Sequence, residues 1–331
     1  MTFPPSLFRR RLVASALLGA GVSLAPTVRS APKFPVRPVR LVVPYSAGIG
    51  PDVVARAVAA QLALHWGQPV TVENKPGASG IVAFGEVRQT PPDGHTIFLA
   101  DTATLAVNPL LHKSLPYDPV KDLAPITLLF RATFMLMTGV PGRYPDLRSL
   151  LDAAGGAPDR VRYGTLGNGH PSQMAVEVMA RQAGVQMMPV PFRDAGALFT
   201  AVALGEVDFT AISMNTVSGL VAAGRLRPLA VGALARLPAH PQVPTIGEAG
   251  GPAVEMRPWA ALVTVAGTPA PVLEQLQRDL TRAISAREVR EMADTAGFEL
   301  MPSTPQALRD RAAADLALYE PLVREGRVAR L

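Results

Sequence analysis

The run Arg40-Leu41-Val42-Val43-Pro44-Tyr45-Ser46-Ala47-Gly48-Ile49-Gly50-Pro51-Asp52-Val53-Val54-Ala55-Arg56 puts a β-branched segment, a glycine-rich turn and a helix start in direct succession. The chemistry open to such a turn is anion binding. The first four N–H groups of a helix have no internal partner, and the dipole adds roughly half a positive charge there. A carboxylate or phosphate can be held at such a point without a charged side chain. Gly48 and Gly50 let the backbone approach a ligand closely, and Pro51 suits the first helical position. Asp52 falls in the first turn, with Arg56 at i+4 for a surface ion pair.

A second turn of the same kind, Tyr163-Gly164-Thr165-Leu166-Gly167-Asn168-Gly169-His170-Pro171-Ser172, also runs from a strand through glycines into a helix. Thr165 offers a hydroxyl and Asn168 an amide. His170 stands at the helix entrance, where contact with a bound acid, helix capping and solvent exposure are all open. Two cradles of this kind in one chain suggest a clamp on a small acid.

Other chemistries find less support. Gly48-x-Gly50 follows a strand, and Glu73 lies at a ribose-binding distance beyond it, as in a dinucleotide fingerprint. The third glycine position is Val53, however, and Pro51 stiffens the turn. No Gly-x-Ser-x-Gly elbow is present; Gly77-Ala78-Ser79-Gly80 has the wrong spacing. His65, His95, His112, His170 and His240 show no metal-ligand spacing. Asp152, Glu177 and Asp279 fall on helix faces where a solvated role is expected. No catalytic group, metal or cofactor is expected.

The elements that must position the two turns follow an α/β pattern. Val39–Val43 reads as a strand, and Asp52–Trp66 as a helix with Val54, Val58, Leu62 and Trp66 at i+4 steps. Val70–Glu73, helix Ser79–Arg88 and Thr96–Ala100 continue a βαβαβ order, which implies a parallel sheet. Leu123–Val140 is long and apolar and reads as a strand crossing between lobes. A second unit follows: helix Leu147–Ala154, strand Val161–Thr165, helix Ser172–Ala183, strand Met188–Val190, helix Ala197–Leu204, strand Val207–Ile212, helix Thr216–Ala223 and strand Leu226–Val231. Trp259–Val265, leading into helix Pro271–Ala286, reads as the return. Two lobes joined by two crossings leave a cleft between them, where ligand sites concentrate.

The chain has 331 residues, 48% hydrophobic and 18% charged, which is a globular composition. Aromatics at 5% are too few for a nucleic-acid stacking platform. There is no cysteine, so disulfides and thiol chemistry are excluded. Four arginines and no acid fall within residues 1–30, so the +6 formal charge drops to +2 beyond them, and a nucleic-acid partner loses its electrostatic motive. Those 30 residues read as an export signal: Arg9-Arg10-Arg11, an apolar run from Leu12 to Leu24, and cleavage after Ser30. An uncleaved anchor is the alternative, and the paired arginines leave Sec and twin-arginine export both open.

Several segments resemble the Bug family, the TctC-like extracytoplasmic solute receptors of tripartite tricarboxylate transporters. They are Arg37–Tyr45 with its glycine-rich turn, Gly67-Gln68-Pro69-Val70-Thr71-Val72-Glu73-Asn74-Lys75-Pro76-Gly77-Ala78, Pro92-Asp93-Gly94-His95-Thr96, Asn108-Pro109, Leu115-Pro116-Tyr117-Asp118-Pro119, Leu123-Ala124-Pro125-Ile126-Thr127, Pro244-Thr245-Ile246-Gly247-Glu248-Ala249-Gly250 and Ala266-Gly267-Thr268-Pro269-Ala270-Pro271. The match runs in order over nearly the whole chain after residue 30. The resemblance implies a type II periplasmic-binding-protein-like α/β fold. Lobe one would take 34–130 and 258–300, lobe two 131–257, and a C-terminal helical segment, 301–331, would pack on the lobes.

It also implies a periplasmic, non-enzymatic, monomeric protein that captures a small carboxylate for a membrane permease. A sensor ectodomain as partner without transport, or a periplasmic enzyme on the same fold, are the alternatives. By matching position, ligand contact is carried to Tyr45, Ser46, Ala47, Gly48 and Gly50, and to Asp101, Thr102 and Thr104. In lobe two it is carried to Thr165, Gly167, Asn168, Gly169 and His170, and to Phe192, Asp194 and Ser213. The chain departs from the family pattern at Ile49 and Pro51, at His170 and Gln173 (usually Ser and His), and at Phe192-Arg193-Asp194 (usually Tyr-Lys-Gly or Tyr-Arg-Gly). These departures make a neutral, zwitterionic or aromatic acid as reasonable a ligand as citrate. His170 is expected to tune affinity between pH 5.5 and 8.

Overall fold

A β-branched run buried on both sides starts the described structure. The computed structural model describes Met1 and residues 34–331; the export-signal reading otherwise falls outside the described residues. β1 (Val39–Val43) sits between β2 (Val70–Asn74) and β3 (Thr96–Asp101), parallel to both. Leu41 pairs with Val72 on one side and Ile97 on the other. α1 (Gly50–Trp66) covers one face with Val54, Ala55, Val58 and Leu62. It ends where Gly67, at φ 64, turns left-handed and returns its N–H to the Ala63 carbonyl. α2 (Ile81–Val87) buries Phe84 and Val87 on the other face. It starts later than its sequence pattern predicts, because Ala78 and Ser79 take left-handed backbone in a tight turn before it.

After β3, a π-helical turn at Ala103–Val107 leads into α3 (Asn108–Leu111). The long apolar segment then divides. β4 (Leu123–Ala132) belongs to the first sheet and β5 (Met135–Gly139) to a second. α4 (Leu147–Gly156), β6 (Arg162–Thr165), α5 (Pro171–Gln182), β7 (Met188–Pro191), α6 (Ala195–Ala203), β8 (Phe209–Ile212), α7 (Met214–Ala222) and β9 (Leu226–Val231) complete the second lobe. β10 (Trp259–Val265) returns to the first sheet, followed by α8 (Ala270–Ile284), α9 (Arg287–Ala296), β11 (Phe298–Leu300) and α10 (Pro305–Arg324).

The first sheet has the order β11-β4-β10-β3-β1-β2, and the second β7-β6-β8-β5-β9. Neither is purely parallel. β10 runs antiparallel to β3 and β4, and β5 antiparallel to β8 and β9, because the crossing strands traverse each sheet against the βαβ units. Each sheet is covered on both faces by a separate apolar cluster.

The two crossings form a paired hinge. Ala132 N–H donates to the Pro258 carbonyl at 2.8 Å and Phe134 N–H to the Met256 carbonyl at 2.9 Å. α10 straddles the lobes: Leu308 packs beside Trp259 in the first, Leu322 and Val323 beside Met174 in the second.

Candidate functional site

The turn between β1 and α1 is built on a buried carboxylate. Asp52 is 1% exposed. Its Oδ2 accepts from Gly48 N–H at 2.8 Å and Arg56 Nε at 2.9 Å, and its Oδ1 from Asn74 Nδ2 at 2.8 Å. Burial alone would raise this carboxyl; the Arg56 guanidinium, the Gly48 N–H and the Asn74 amide outweigh it and hold it below the usual carboxylate value. The surface ion pair read from the spacing is thus an internal knot on its acidic side. Ser46, Ala47 and Gly48 are exposed, and Gly48 has turned its N–H inward onto Asp52. No side chain caps α1, so the N–H groups of Gly50 and Asp52 have no partner within the helix.

At the end of β3, Asp101 is fully engaged. The Tyr45 hydroxyl donates to its Oδ2, while the Thr104 N–H and hydroxyl donate to its Oδ1 at 2.8 and 2.7 Å. Burial, and then the Asp101 charge, hold the Tyr45 phenol well above its ordinary value, so it remains a donor. Thr102 bridges to the returning strand, accepting from Trp259 N–H at 3.0 Å.

In lobe two the glycine-rich turn spends its donors locally. Gly169 N–H reaches Gln173 Oε1 at 2.7 Å, and Ser172 N–H reaches His170 Nδ1 at 3.2 Å. His170 is therefore the cap of α5. An accepting Nδ1 leaves the ring proton on Nε2. Burial pushes this histidine down to about 4, so it stays neutral across pH 5.5–8, against the expected tuning. Thr165 shares its hydroxyl with Ser172 Oγ at 3.0 Å, Asn168 donates to the Ala329 carbonyl at 2.8 Å, and Gly167 lies between them. Asp194 is exposed and caps α6 through Ala197 N–H at 2.9 Å. Phe192 packs on the lobe-two core. Ser213 bonds Thr216 Oγ1 at 2.7 Å, which leaves the N-terminal end of α7 without a side-chain cap.

A cleft of about 500 Å³ lies between the lobes. Tyr45, Gly50, Asp101, Thr102, His170 and Ser213 border it. The remaining sequence-selected positions, Ser46, Ala47, Gly48, Thr104, Thr165, Gly167, Asn168, Gly169, Phe192 and Asp194, do not. The walls are mostly apolar, with Phe130, Phe134, Leu166, Ile212, Trp259 and Phe298 prominent. Phe130 and Phe298 stack at 4.2 Å, and the Phe298 ring lies 3.0 Å from where a Cβ on Gly50 would stand. Among the described residues that line the cleft there is no lysine or arginine. An anion here meets N–H dipoles and hydroxyls, not a fixed cation.

Residues 54–327 match the profile of the TctC, tripartite tricarboxylate transporter family receptor. The chain belongs to this receptor family. A relative from Pseudomonas sp. strain P51, described as the UPF0065 protein in the tcbD-tcbE intergenic region, is 31% identical over 97% of this chain and 95% of its own. Among solved structures, R. palustris Rpa4515 with adipate is similar at 28% identity and a TM-score of 0.79, over 90% of this chain and 100% of that one. MatC (Rpa3494) from Rhodopseudomonas palustris with bound malate is similar at 29% identity and a TM-score of 0.75, over 87% and 99%. The receptor fold is thus a two-lobed periplasmic-binding-protein architecture.

Sequence reasoning missed part of this receptor's cleft. Asn215 and Thr216 are the second and third residues of α7, just beyond the matched Ser213, and a search of the whole helix start would have found them. Phe298 and Thr295 come from elements with no glycine signature, and only the folded chain brings them to Gly50. Glu177, expected in solvent, is 3% exposed and accepts from the Tyr163 hydroxyl at 2.6 Å, because it lies on the face of α5 turned to the core.

Proposed function

We propose that this receptor captures a small carboxylate between its lobes and presents the closed form to a membrane permease or a sensor ectodomain. The observation that carries the reading is the cleft itself: the uncapped ends of α1 and α7 face one apolar space that holds no lysine or arginine. The Gly50 N–H at the start of α1 supplies one half of an anion cradle, and the start of α7 the other. The α5 and α6 ends are already occupied by His170 and Asp194, so their sequence-matched neighbours serve as supports. The adipate and malate held by the two Rhodopseudomonas proteins fit this class. An apolar wall favours acids with a hydrocarbon or aromatic body.

We place lobe one at 34–130 and 258–300, lobe two at 131–257, and 301–331 as a segment bridging both. Export to the periplasm by the Sec or twin-arginine route, a monomeric state and the lack of enzymatic turnover belong to the same reading.

The test is a thermal-shift screen of protein refolded from denaturant, against adipate, malate, benzoate, glutamate and citrate, with adipamide and glucose as uncharged solutes. A ligand at one hundred times its Kd stabilises by about 2.7 kcal/mol, or several degrees at ~2 °C per kcal/mol. A shift confined to acids supports the cradle. A shift with uncharged solutes alone would refute it.

A further inference from the structure

One side-chain amide hydrogen-bonds across the two lobes at the rim of the cleft, away from the hinge strands and from α10. Asn215 is the second residue of α7 in lobe two. Its Nδ2 donates to the Thr295 carbonyl at 2.9 Å and, more weakly, to the Asp294 carbonyl at 3.4 Å. Both carbonyls lie in the last turn of α9, which packs with α1 in lobe one. The last four carbonyls of a helix have no internal partner, so a residue of one lobe completes the C-terminal cap of a helix in the other. Gly297 makes room for it. At φ 76 it ends α9 in the left-handed region, and a Cβ there would stand 2.6 Å from Asn215 Cγ. Asn215, Thr295 and Ala296 all border the cleft, beside Phe298.

We propose that Asn215 is a positioning residue for ligand capture: its amide, bound to the end of α9, holds the lobes together and sets how fast a ligand escapes. The inference rests on the reading that the cleft takes a carboxylate by lobe closure. The bond is exposed, so it contributes what one or two neutral hydrogen bonds contribute. Removing it speeds release by about three- to tenfold.

The chain has no cysteine, so Leu64→Cys on α1 and Leu204→Cys beyond α6, both exposed, give one spin label per lobe. The inter-label distance is measured by double electron–electron resonance in the labelled protein and in its Asn215→Asp and Asn215→Ala variants. Asn215→Asp is the sharper variant. A carboxylate in the first turn of α7 favours that helix, yet it has no proton to donate and faces the negative end of α9. The expected result is a longer, broader distance distribution in both variants with an unlowered melting temperature in Asn215→Asp. With adipate as probe, stopped-flow release rises about three- to tenfold.

Unchanged distances in both variants overturn the proposal whatever the parent protein binds. A lower melting temperature in Asn215→Asp with unchanged distances makes Asn215 a structural cap only, which also overturns it. If the parent binds neither adipate nor malate while the distances lengthen, the latch stands and the carboxylate reading loses its support.

Discussion

His170 provides a test in which sign and size follow from one geometry. Its Nδ1 accepts the Ser172 N–H, and burial pushes its titration down to about 4. In the unfolded chain a histidine titrates near 6.5. Above about pH 6.5 the ring is neutral in both states and burial is without penalty. Between about 6.5 and 4 the unfolded chain takes up a proton that the native protein refuses, so stability falls as pH falls. At pH 5 the full shift corresponds to about 2 kcal/mol; His170 borders an open cleft, and water there reduces this to about 1–2 kcal/mol. The perturbation is His170→Asn, which retains a strong cap with an acceptor for Ser172 N–H but does not titrate. Urea unfolding of parent and variant from pH 4.5 to 8 isolates the residue, because all other groups cancel in the difference. The two curves should run parallel above pH 7 and diverge below 6, the parent losing about 1–2 kcal/mol more by pH 5. Parallel curves throughout, or a parent that gains stability on acidification, would refute the capping geometry. Ligand affinity, in the same reasoning, stays flat from pH 5.5 to 8.

Asp52→Asn should cost about 2 kcal/mol near neutral pH, since it removes a charge-assisted pair and turns one amide donor against another. Its carboxyl is held low, so that stability is present above about pH 4 and lost as pH falls through the folded value; parent and variant should therefore converge in acid-unfolding curves. Tyr45→Phe leaves Asp101 Oδ2 without its hydroxyl donor, and calorimetry with adipate should show affinity weakened by about 1–3 kcal/mol with a smaller change in stability. Gly169→Ala combines a left-handed φ of 75 with a Cβ placed 2.2 Å from Leu111 Cδ1, so urea unfolding should record a loss of about 2–4 kcal/mol, partly recovered when Leu111→Ala is added. With no lysine or arginine among the described residues that line the cleft, affinity for a carboxylate should change less than about threefold between 0.05 and 0.5 M salt in an isothermal titration, unlike a site built on an ion pair.

The strands whose side chains are buried on both faces were the most legible part of the chain. Val39–Val43, Leu226–Val231 and Trp259–Val265 are mostly apolar or β-branched, broken only by Arg40, Arg227 and Pro228, and the folded strands have the limits their sequences suggest. α9 and β11 were not legible. α9 buries only Val289 and Ala293, too sparse a stripe to announce a helix. β11 is three residues long and exists because β4 and the Phe130 ring are there to receive it. The crossing segment shows a different limit: its apolar run is continuous, and the break at Thr133–Phe134 comes from bonding to the returning chain near residues 256–258. At the site, the glycine-rich turns announced themselves, but not which of their N–H groups remain free. That depends on side chains that fold back onto them: Asp52 onto Gly48, Gln173 onto Gly169, His170 onto Ser172.

The separation between free and occupied helix ends bears on how a receptor can both hold and surrender an acid. A guanidinium in a dry cleft would bind a carboxylate tightly but would itself need a partner whenever the cleft stood empty, since an unpaired buried charge is costly. Helix ends avoid this, because their dipoles are fixed by the fold and exposed N–H groups can return to water at little cost. Asp101, the one carboxylate among the described residues of the cleft wall, follows the same logic. Asp101 would repel an acid if its charge were open, yet Tyr45 and Thr104 direct three donors at it. Its charge is spent on holding Tyr45 and the turn after β3 in place. Affinity, on the proposed reading, then comes from the number of dipoles brought to bear when the lobes meet, so it is lost when they part. On the proposed reading, specificity lies in the apolar walls and capture in the closure, which is why a contact such as that between Asn215 and α9 can matter without touching the ligand.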